Sequence, residues 1–274
     1  VRSTVSGSTV ALGIGMVWGI GLKAARQIVA ERLKSGHYRS LPDFLRRVAL
    51  PCGAVENLIE AGALESFGLD RRLLLWMLGL FARAQGWMAP HKPGGGSEII
   101  RRQKTLPLPI PGTVALPAMN PWENILADYR LLELSPDGHP MAILRPALPK
   151  GIAANAQLNH LPEGKTVYIA GMVVTRQRPG TAKGFLFLLM EDETGLVNAV
   201  VSPQLYESRR AVLRGEPLIW LRGTVQRMHG NLNLVAVDVG SLMDALRDRP
   251  LANDPLAAFL SDIRRAAPAA HQWR

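Results

Sequence analysis

Cysteine is nearly absent: Cys52 stands alone among 274 residues. That excludes an internal disulfide framework and any zinc site built on cysteine. A reducing compartment, the cytoplasm, is the expected location, although a secreted protein without disulfides would look the same. Long apolar runs are missing too. None reaches the roughly 18–20 residues needed to span a bilayer, so no membrane anchor is expected. Residues 10–22 are apolar and glycine-rich with Arg2 upstream, but a basic helical pattern follows at once and no small-residue cleavage site is present, which argues against a secretory signal. The chain begins with Val rather than Met, as expected of a fragment or of a processed or alternatively started product.

Catalytic signatures are equally scarce. The six histidines are scattered, with no spacing suited to zinc, and no Ser or Cys sits in a nucleophile-elbow context. Phosphoryl transfer needs carboxylates converging on metal ions. The one dense acidic cluster is Glu191, Asp192 and Glu193, followed by Thr194 and Gly195. It reads as turn chemistry between two strands, with a metal site the minority reading. No catalytic residue, metal ligand or cofactor is therefore assigned to this chain.

What the sequence does have is positive charge. Its 32 Lys and Arg against 22 Asp and Glu give a formal net charge of +10 and a pI near 10.3. Such an excess favours a polyanionic partner, because neutralising phosphates releases condensed counterions, and a solvated basic surface that aids solubility gives the same count. A hydrophobic fraction of 47% is that of an ordinary globular protein, and the length suits two modest domains or one domain plus linkers.

Apolar spacing predicts helices over 23–33, 41–48, 55–64 and 70–85, the last with a stripe of Leu73, Leu74, Met77, Leu78 and Phe81 that reads as core. Residues 89–121, PHKPGGGS followed by RRQK and a proline-rich string, read as an extended linker. A short helix over 122–132 ends at SPDGHP. From Thr166 the period becomes strand-like. Five β-rich segments, with a helical interruption between the third and fourth, give the order of an OB-fold, the small Greek-key barrel. The predicted fold class is multidomain α+β, a helical helix-hairpin-helix domain followed by a five-stranded OB-fold barrel. The expected division is 1–88 for the tandem helix-hairpin-helix domain, 89–121 for the linker, 122–160 for a connector, 161–245 for the OB-fold and 246–274 for a mobile tail.

The sharpest local signal is VWGIGLKAARQI at 17–28, which describes a helix-hairpin-helix element. Gly19 and Gly21 let the hairpin backbone approach a phosphate, and the N–H groups at the next helix start, from Leu22 onward, face that anion. Lys23 and Arg26 sit where they neutralise neighbouring phosphates without reading bases. A glycine-rich turn packed between helices is the bland alternative. A dinucleotide fingerprint in Gly13, Gly15 and Gly19 is rejected, because no βαβ unit follows. LPCGAVENLIEAGAL at 50–64 has a similar plan with a degenerate hairpin, so a tandem pair is expected with its second copy structural. In the barrel, Arg176, Arg178 and Lys183 crowd the loop after the first strand, at the edge where OB-folds engage oligonucleotides. Arg227 and His229 lie in the last hairpin. Phe185 and Phe187 can stack on bases, though alternating apolar residues in a strand are more often core. The QKTLPL string from Gln103 to Leu108 faintly suggests a sliding-clamp peptide, and proline-rich linkers produce such strings by chance.

These blocks resemble a known family. VWGIGLKAARQIVAER, RSLPDFLRR and LIEAGALESFGLDRRLLLW are similar to the helix-hairpin-helix region that follows the fingers of bacterial polymerase III alpha-type chains. LPAMNPWENILADYRLLELSPDGHPMAILRP is similar to the connector after it, and VYIAGMVVTRQRPGTAKGFLFLLMEDETGLVNAVVSP resembles the start of its OB domain. The pairing of RQRPGTAKG with EDETGLVN is nearest the error-prone branch, the ImuC family, and the resemblance covers about residues 12–242. It implies a part of a polymerase that copies damaged templates in DNA-damage-induced mutagenesis and repair. The implied partners are duplex and single-stranded DNA, the polymerase core, a Y-family-like accessory protein, a small mutasome accessory protein and, indirectly, the sliding clamp. By position, Gly19, Gly21, Lys23 and Arg26 would grip the duplex backbone, and Arg176, Arg178 and Lys183 would face the single strand. The catalytic aspartates of that family, and the Mg2+ they would hold, belong to a polymerase core outside this sequence, so the chain is not expected to polymerise alone. LLELS at 131–135 lacks the glycine usual before the Leu-Ser pair, and the end soon after the OB domain favours the error-prone branch over a replicative alpha subunit. The rival readings are a protein-interaction scaffold, the equivalent replicative segment, and a nuclease or ligase fragment. On the leading reading, replacing Arg176, Arg178 and Lys183 together by Ala weakens single-strand binding more than duplex binding, as measured by titration of both substrates.

Overall fold

The structure, a computed structural model, describes residues 1–84, 115–228, 230–247, 262 and 271–273, and the chain divides into two units, Val1–Leu134 and Ser135–Arg274. The clamp-like string at 103–108, His229 and most of the linker and tail lie outside the described residues.

The first unit opens with a small antiparallel hairpin, β1 (Thr4–Ser6) and β2 (Thr9–Ala11), which the glycine-rich sequence there did not announce. Five helices follow, α1 (Leu22–Ser35), α2 (Leu41–Arg47), α3 (Cys52–Glu60), α4 (Arg71–Ala84) and α5 (Pro121–Leu132). Their starts have local causes. Ser40 Oγ accepts from the Asp43 amide at 3.3 Å, with Pro42 in the first turn of α2. At α5, Asn120 and Glu123 form a reciprocal capping box around Pro121. Ala25, Ile28, Phe44, Leu58, Ile59 and Leu74 make up much of the shared core.

Helix α5, expected as part of a separate connector, packs in this first unit. Its Asp128 is buried and accepts from Arg71 Nη1 at 2.7 Å, with the two side chains 2% and 5% exposed. Arg71 also donates from Nε to Glu65 Oε1 at 2.6 Å and from Nη1 to the Glu60 carbonyl at 2.8 Å. The helix ends at Glu133, whose φ of 61° lies in the left-handed region. This is the position where the resemblance expected glycine, and the conformation explains the preference, since a side chain is strained there.

In the second unit, α6 (Pro140–Leu144) and a two-residue strand β3 (Ile152–Ala153) lead into the barrel strands β4 (Thr166–Gln177), β5 (Leu186–Asp192) and β6 (Gly195–Val201). Two short helices, α7 (Pro203–Ser208) and α8 (Arg210–Gly215), precede β7 (Leu218–Met228) and β8 (Asn231–Ser241). The predicted single helical interruption is thus broken at Arg209. Helix α9 (Leu242–Arg247) follows, and β9 (His271–Trp273), within the predicted tail, pairs parallel with β4. The order β4-β5-β6-β8-β7 returns to β4, with β6–β8 parallel and the other barrel pairs antiparallel. Closure leaves no free sheet edge among these five strands. Val173, Leu188, Met190, Ala199, Leu221 and Leu234 fill the interior. The chain is therefore α+β, a helical helix-hairpin-helix region followed by a closed five-stranded OB-fold barrel.

Two stability outcomes are expected. Asp128→Ala removes the buried one of the two carboxylates paired with Arg71 and lowers the stability of the first unit by about 3 kcal/mol in urea unfolding. Glu133→Gly relieves the left-handed strain and raises it by about 1 kcal/mol in the same assay.

Candidate nucleic-acid interfaces

The hairpin before α1 is built from a rigid stem. Val17 and Ile20 are buried, and the Ile20 amide donates to the Val17 carbonyl at 3.0 Å. Between them, Trp18 donates its amide to the Leu131 carbonyl at 2.8 Å, and its own carbonyl accepts from Asn57 Nδ2 at 3.0 Å. Gly19 has φ +80°, and a Cβ there would come within 2.7 Å of Asn57 Nδ2, so both conformation and space call for glycine. Gly21 is the N-cap of α1 and has no side chain to close the helix start. Nothing lies within 4 Å of where its Cβ would stand. The start of α1 is exposed at Gly21, Leu22 and Lys23, has no side-chain cap and carries no acidic residue in its first turn, an arrangement that favours an anion. Leu22, Lys23 and Arg26 are exposed, and neither cation makes an ion pair among the described residues.

The structure thus brings Gly19, Gly21, Leu22, Lys23 and Arg26 together on one surface. The second, degenerate copy is turned to packing. Val55, Leu58 and Ile59 of α3 are buried, and Asn57 props the first hairpin. At its start the Cys52 thiol is pushed up to about 11 by burial and by Glu56, so it is held in its inert protonated form.

In the barrel, the predicted residues separate. Lys183 is exposed and left-handed at φ 49°, with no ion pair among the described residues. Arg178 stays near the surface, but it lies 4.1 Å over the Tyr206 ring, donates to the Gly184 carbonyl at 3.3 Å and approaches Glu207 at 3.7 Å. Phe185 and Phe187 both point outward, Phe187 being 39% exposed, while Leu186, Leu188 and Met190 form the core face of the same stretch. Phe187 stands beside Gln177 on β4 and Val200 on β6, and Val200 beside Val235 on β8, so an outward row crosses four strands.

Two of the expected ligands are engaged within the fold itself. Arg176 is 8% exposed, and its guanidinium donates to the Leu213 carbonyl at 2.8 Å and to the Glu216 carbonyl at the end of α8. Burial draws its pKa below the ordinary arginine value, against the opposing pull of Glu216. The cause is a bulge between Val173 and Thr175 that shifts the inside-outside parity of β4. Arg227 is likewise engaged, with Nη2 donating to the carbonyls of Leu161 at 2.8 Å and Asn159 at 3.1 Å. It shares the parity of buried Leu221 and Val225 on β7, a signal that was present in the alternation. The acidic cluster spans the end of β5 and the turn into β6. Asp192 Oδ1 accepts from the Thr194 amide and hydroxyl, and Arg145 pairs with Asp192 at 2.9 Å and Glu193 at 2.5 Å.

The chain is thus composed of two modules, a helix-hairpin-helix region and an OB-fold barrel, both of kinds that occur in nucleic-acid-binding proteins. The family described as a helix-hairpin-helix motif matches residues 1–74, and that described as an OB-fold nucleic acid binding domain matches residues 167–240. An error-prone DNA polymerase of Mycobacterium bovis is 38% identical over 245 residues, covering 89% of this chain and 21% of the relative. One from Anaeromyxobacter sp. is 36% identical over 244 residues, covering 86% and 20%. Among solved structures, asparaginyl-tRNA synthetase from Pyrococcus horikoshii is 28% identical over 29% of this chain and 20% of that one, with a TM-score of 0.26. Over most of its length the chain is similar to these bacterial error-prone DNA polymerases, and it spans about a fifth of the length of the relatives it matches.

The buried position of Arg176 yields a separate expectation. Arg176→Ala strips the α8 carbonyls of their donor and lowers barrel stability by about 2 kcal/mol. The still-folded variant should bind single strands as tightly as the parent, a result that titration below the unfolding temperature checks.

Proposed function

We propose that this chain is a DNA-gripping part of an error-prone polymerase that acts in DNA-damage-induced mutagenesis and repair. The start of α1 holds the backbone of the duplex primer–template, and the outward barrel face with Lys183, Arg178, Phe185 and Phe187 holds the single-stranded template. The observation that carries the reading is the exposed, side-chain-uncapped start of α1, with exposed Lys23 and Arg26 and no carboxylate in its first turn. Backbone amides and cations of this kind bind phosphates without reading bases. The chemistry of nucleotide transfer would reside in a polymerase core with its Mg2+, and this chain would orient the substrate for it. The Y-family-like partner, the small accessory protein and the indirect route to the clamp belong to the same proposal, as does a cytoplasmic location. In support of the last, no helix among the described residues is long and apolar enough to cross a membrane.

Fluorescence anisotropy with primer–template and single-stranded DNA at several salt concentrations tests the proposal. Affinity for both is expected to fall steeply with salt and to be indifferent to sequence. Replacing Lys23 and Arg26 by Ala should reduce the duplex salt slope by about two and leave single-strand binding unchanged. Replacing Arg178 and Lys183 should do the reverse. Absence of binding at low salt sinks the proposal, and equal losses on both substrates sink the division of labour.

A further inference from the structure

Trp18 is 71% exposed, although it sits inside an element whose flanking residues Val17 and Ile20 are buried. Leu22, on the first turn of α1, is 60% exposed. The backbone of Trp18 is held on both sides, by Leu131 through its amide and by Asn57 through its carbonyl, and the left-handed Gly19 fixes the chain just after it. The indole is therefore displayed from a rigid stem. A rigid aromatic in this position loses little conformational freedom when it is covered, which is what makes such residues effective anchors. Its surroundings select what can cover it. Lys23 and Arg26 are exposed, and the first turn of α1 has no acidic residue and no side-chain cap. A basic or neutral protein surface would leave those groups unmatched or repelled, whereas nucleic acid offers phosphates next to flat apolar sugar and base surfaces.

We propose that Trp18 is a stacking residue, laying its indole against the sugar–base surface of duplex DNA next to the phosphate that faces the start of α1. The proposal rests on the DNA-gripping role above and adds to it a contact that does not depend on charge. Such a contact has a distinct signature. Cation–phosphate contacts set the slope of affinity against salt, whereas an aromatic contact adds affinity at every salt concentration and leaves the slope alone.

The test compares the full chain with Trp18→Ala and Trp18→Phe variants on one duplex at four salt concentrations, together with thermal unfolding of each. The Ala variant should bind about tenfold more weakly throughout, with an unchanged salt slope and an unchanged unfolding temperature. The Phe variant should recover most of the loss, and the fraction of tryptophan emission quenched on duplex binding should fall in it. An Ala variant that binds like the parent, or one that loses salt slope as the Lys23 and Arg26 variants do, overturns the stacking contact while the gripping role stands. Unchanged quenching in the Phe variant also overturns it, since the indole would then lie away from the DNA. If the parent shows no salt-dependent duplex binding, the gripping role and the contact fall together.

Discussion

The first unit hangs on one guanidinium. Arg71, at the start of α4, reaches the end of α3 through the Glu60 carbonyl, the turn beyond it through Glu65, and α5 through Asp128. A buried ion pair contributes little net stability against an apolar alternative, because desolvating both charges offsets their attraction. What it supplies is a single admissible arrangement, since a buried guanidinium displaced from its acceptors is far costlier than a displaced methyl group. The space around it is equally committed, as a Cβ on Gly62 would meet Arg71 Nη2 at 2.6 Å. This is how α5, more than fifty residues later in the chain, is held in place. Helix α5 in turn offers the Leu131 carbonyl to the amide of Trp18, while α3 offers Asn57 to its carbonyl. The hairpin geometry thus depends on helices that lie outside the hairpin itself.

The barrel solves a related problem by closure. Because β4 pairs with both β5 and β7, every strand has two neighbours and the interior is defined without a covering layer. The outer surface is then free to carry polar and aromatic groups, and the Phe187 row shows it doing so. The same closure makes parity decisive. One bulge in β4 is enough to turn Arg176 from a surface cation into a fastener for α8. Arg145 plays a comparable part at the β5–β6 turn, where it neutralises Asp192 and Glu193 while Asp192 also accepts from the Asn155 amide.

These cases show what was legible in the sequence. Helix and strand segments follow from periodicity, and they lie close to α1 to α5 and β4 to β8 because burial and period agree there. Gly19 of the hairpin was legible because left-handed backbone and close approach both demand glycine there. The β1–β2 hairpin was hidden, since its few exposed residues bury no face and so leave no periodic trace. The fate of Arg176 was hidden for a different reason. A bulge has no reliable signature in a run such as GMVVTRQ, and without it the alternation sends that side chain outward. Arg227 could have been placed from the alternation of β7, but its loop position suggested a surface role. Trp18 was read as one apolar letter of a motif, and only its exposure separates it from Val17 and Ile20.

On the proposed reading, a chain that holds DNA of any sequence faces a constraint that the two modules answer in the same way. Contacts to phosphate are indifferent to sequence but weaken as salt rises, because their free energy comes largely from released counterions. Contacts to aromatic faces are also tolerant of sequence, since every base and sugar presents an apolar surface, yet they are insensitive to salt. The hairpin surface carries amides and cations with Trp18 beside them, and the barrel surface carries Lys183 with the outward phenylalanines. Each module therefore mixes the two kinds of contact within its own surface. Neither needs base-specific hydrogen bonds, which would penalise a mismatched or damaged template by leaving donors unpaired. On the proposed reading, indifference of this kind would suit a substrate whose bases cannot be relied on, and it would follow from which groups are exposed.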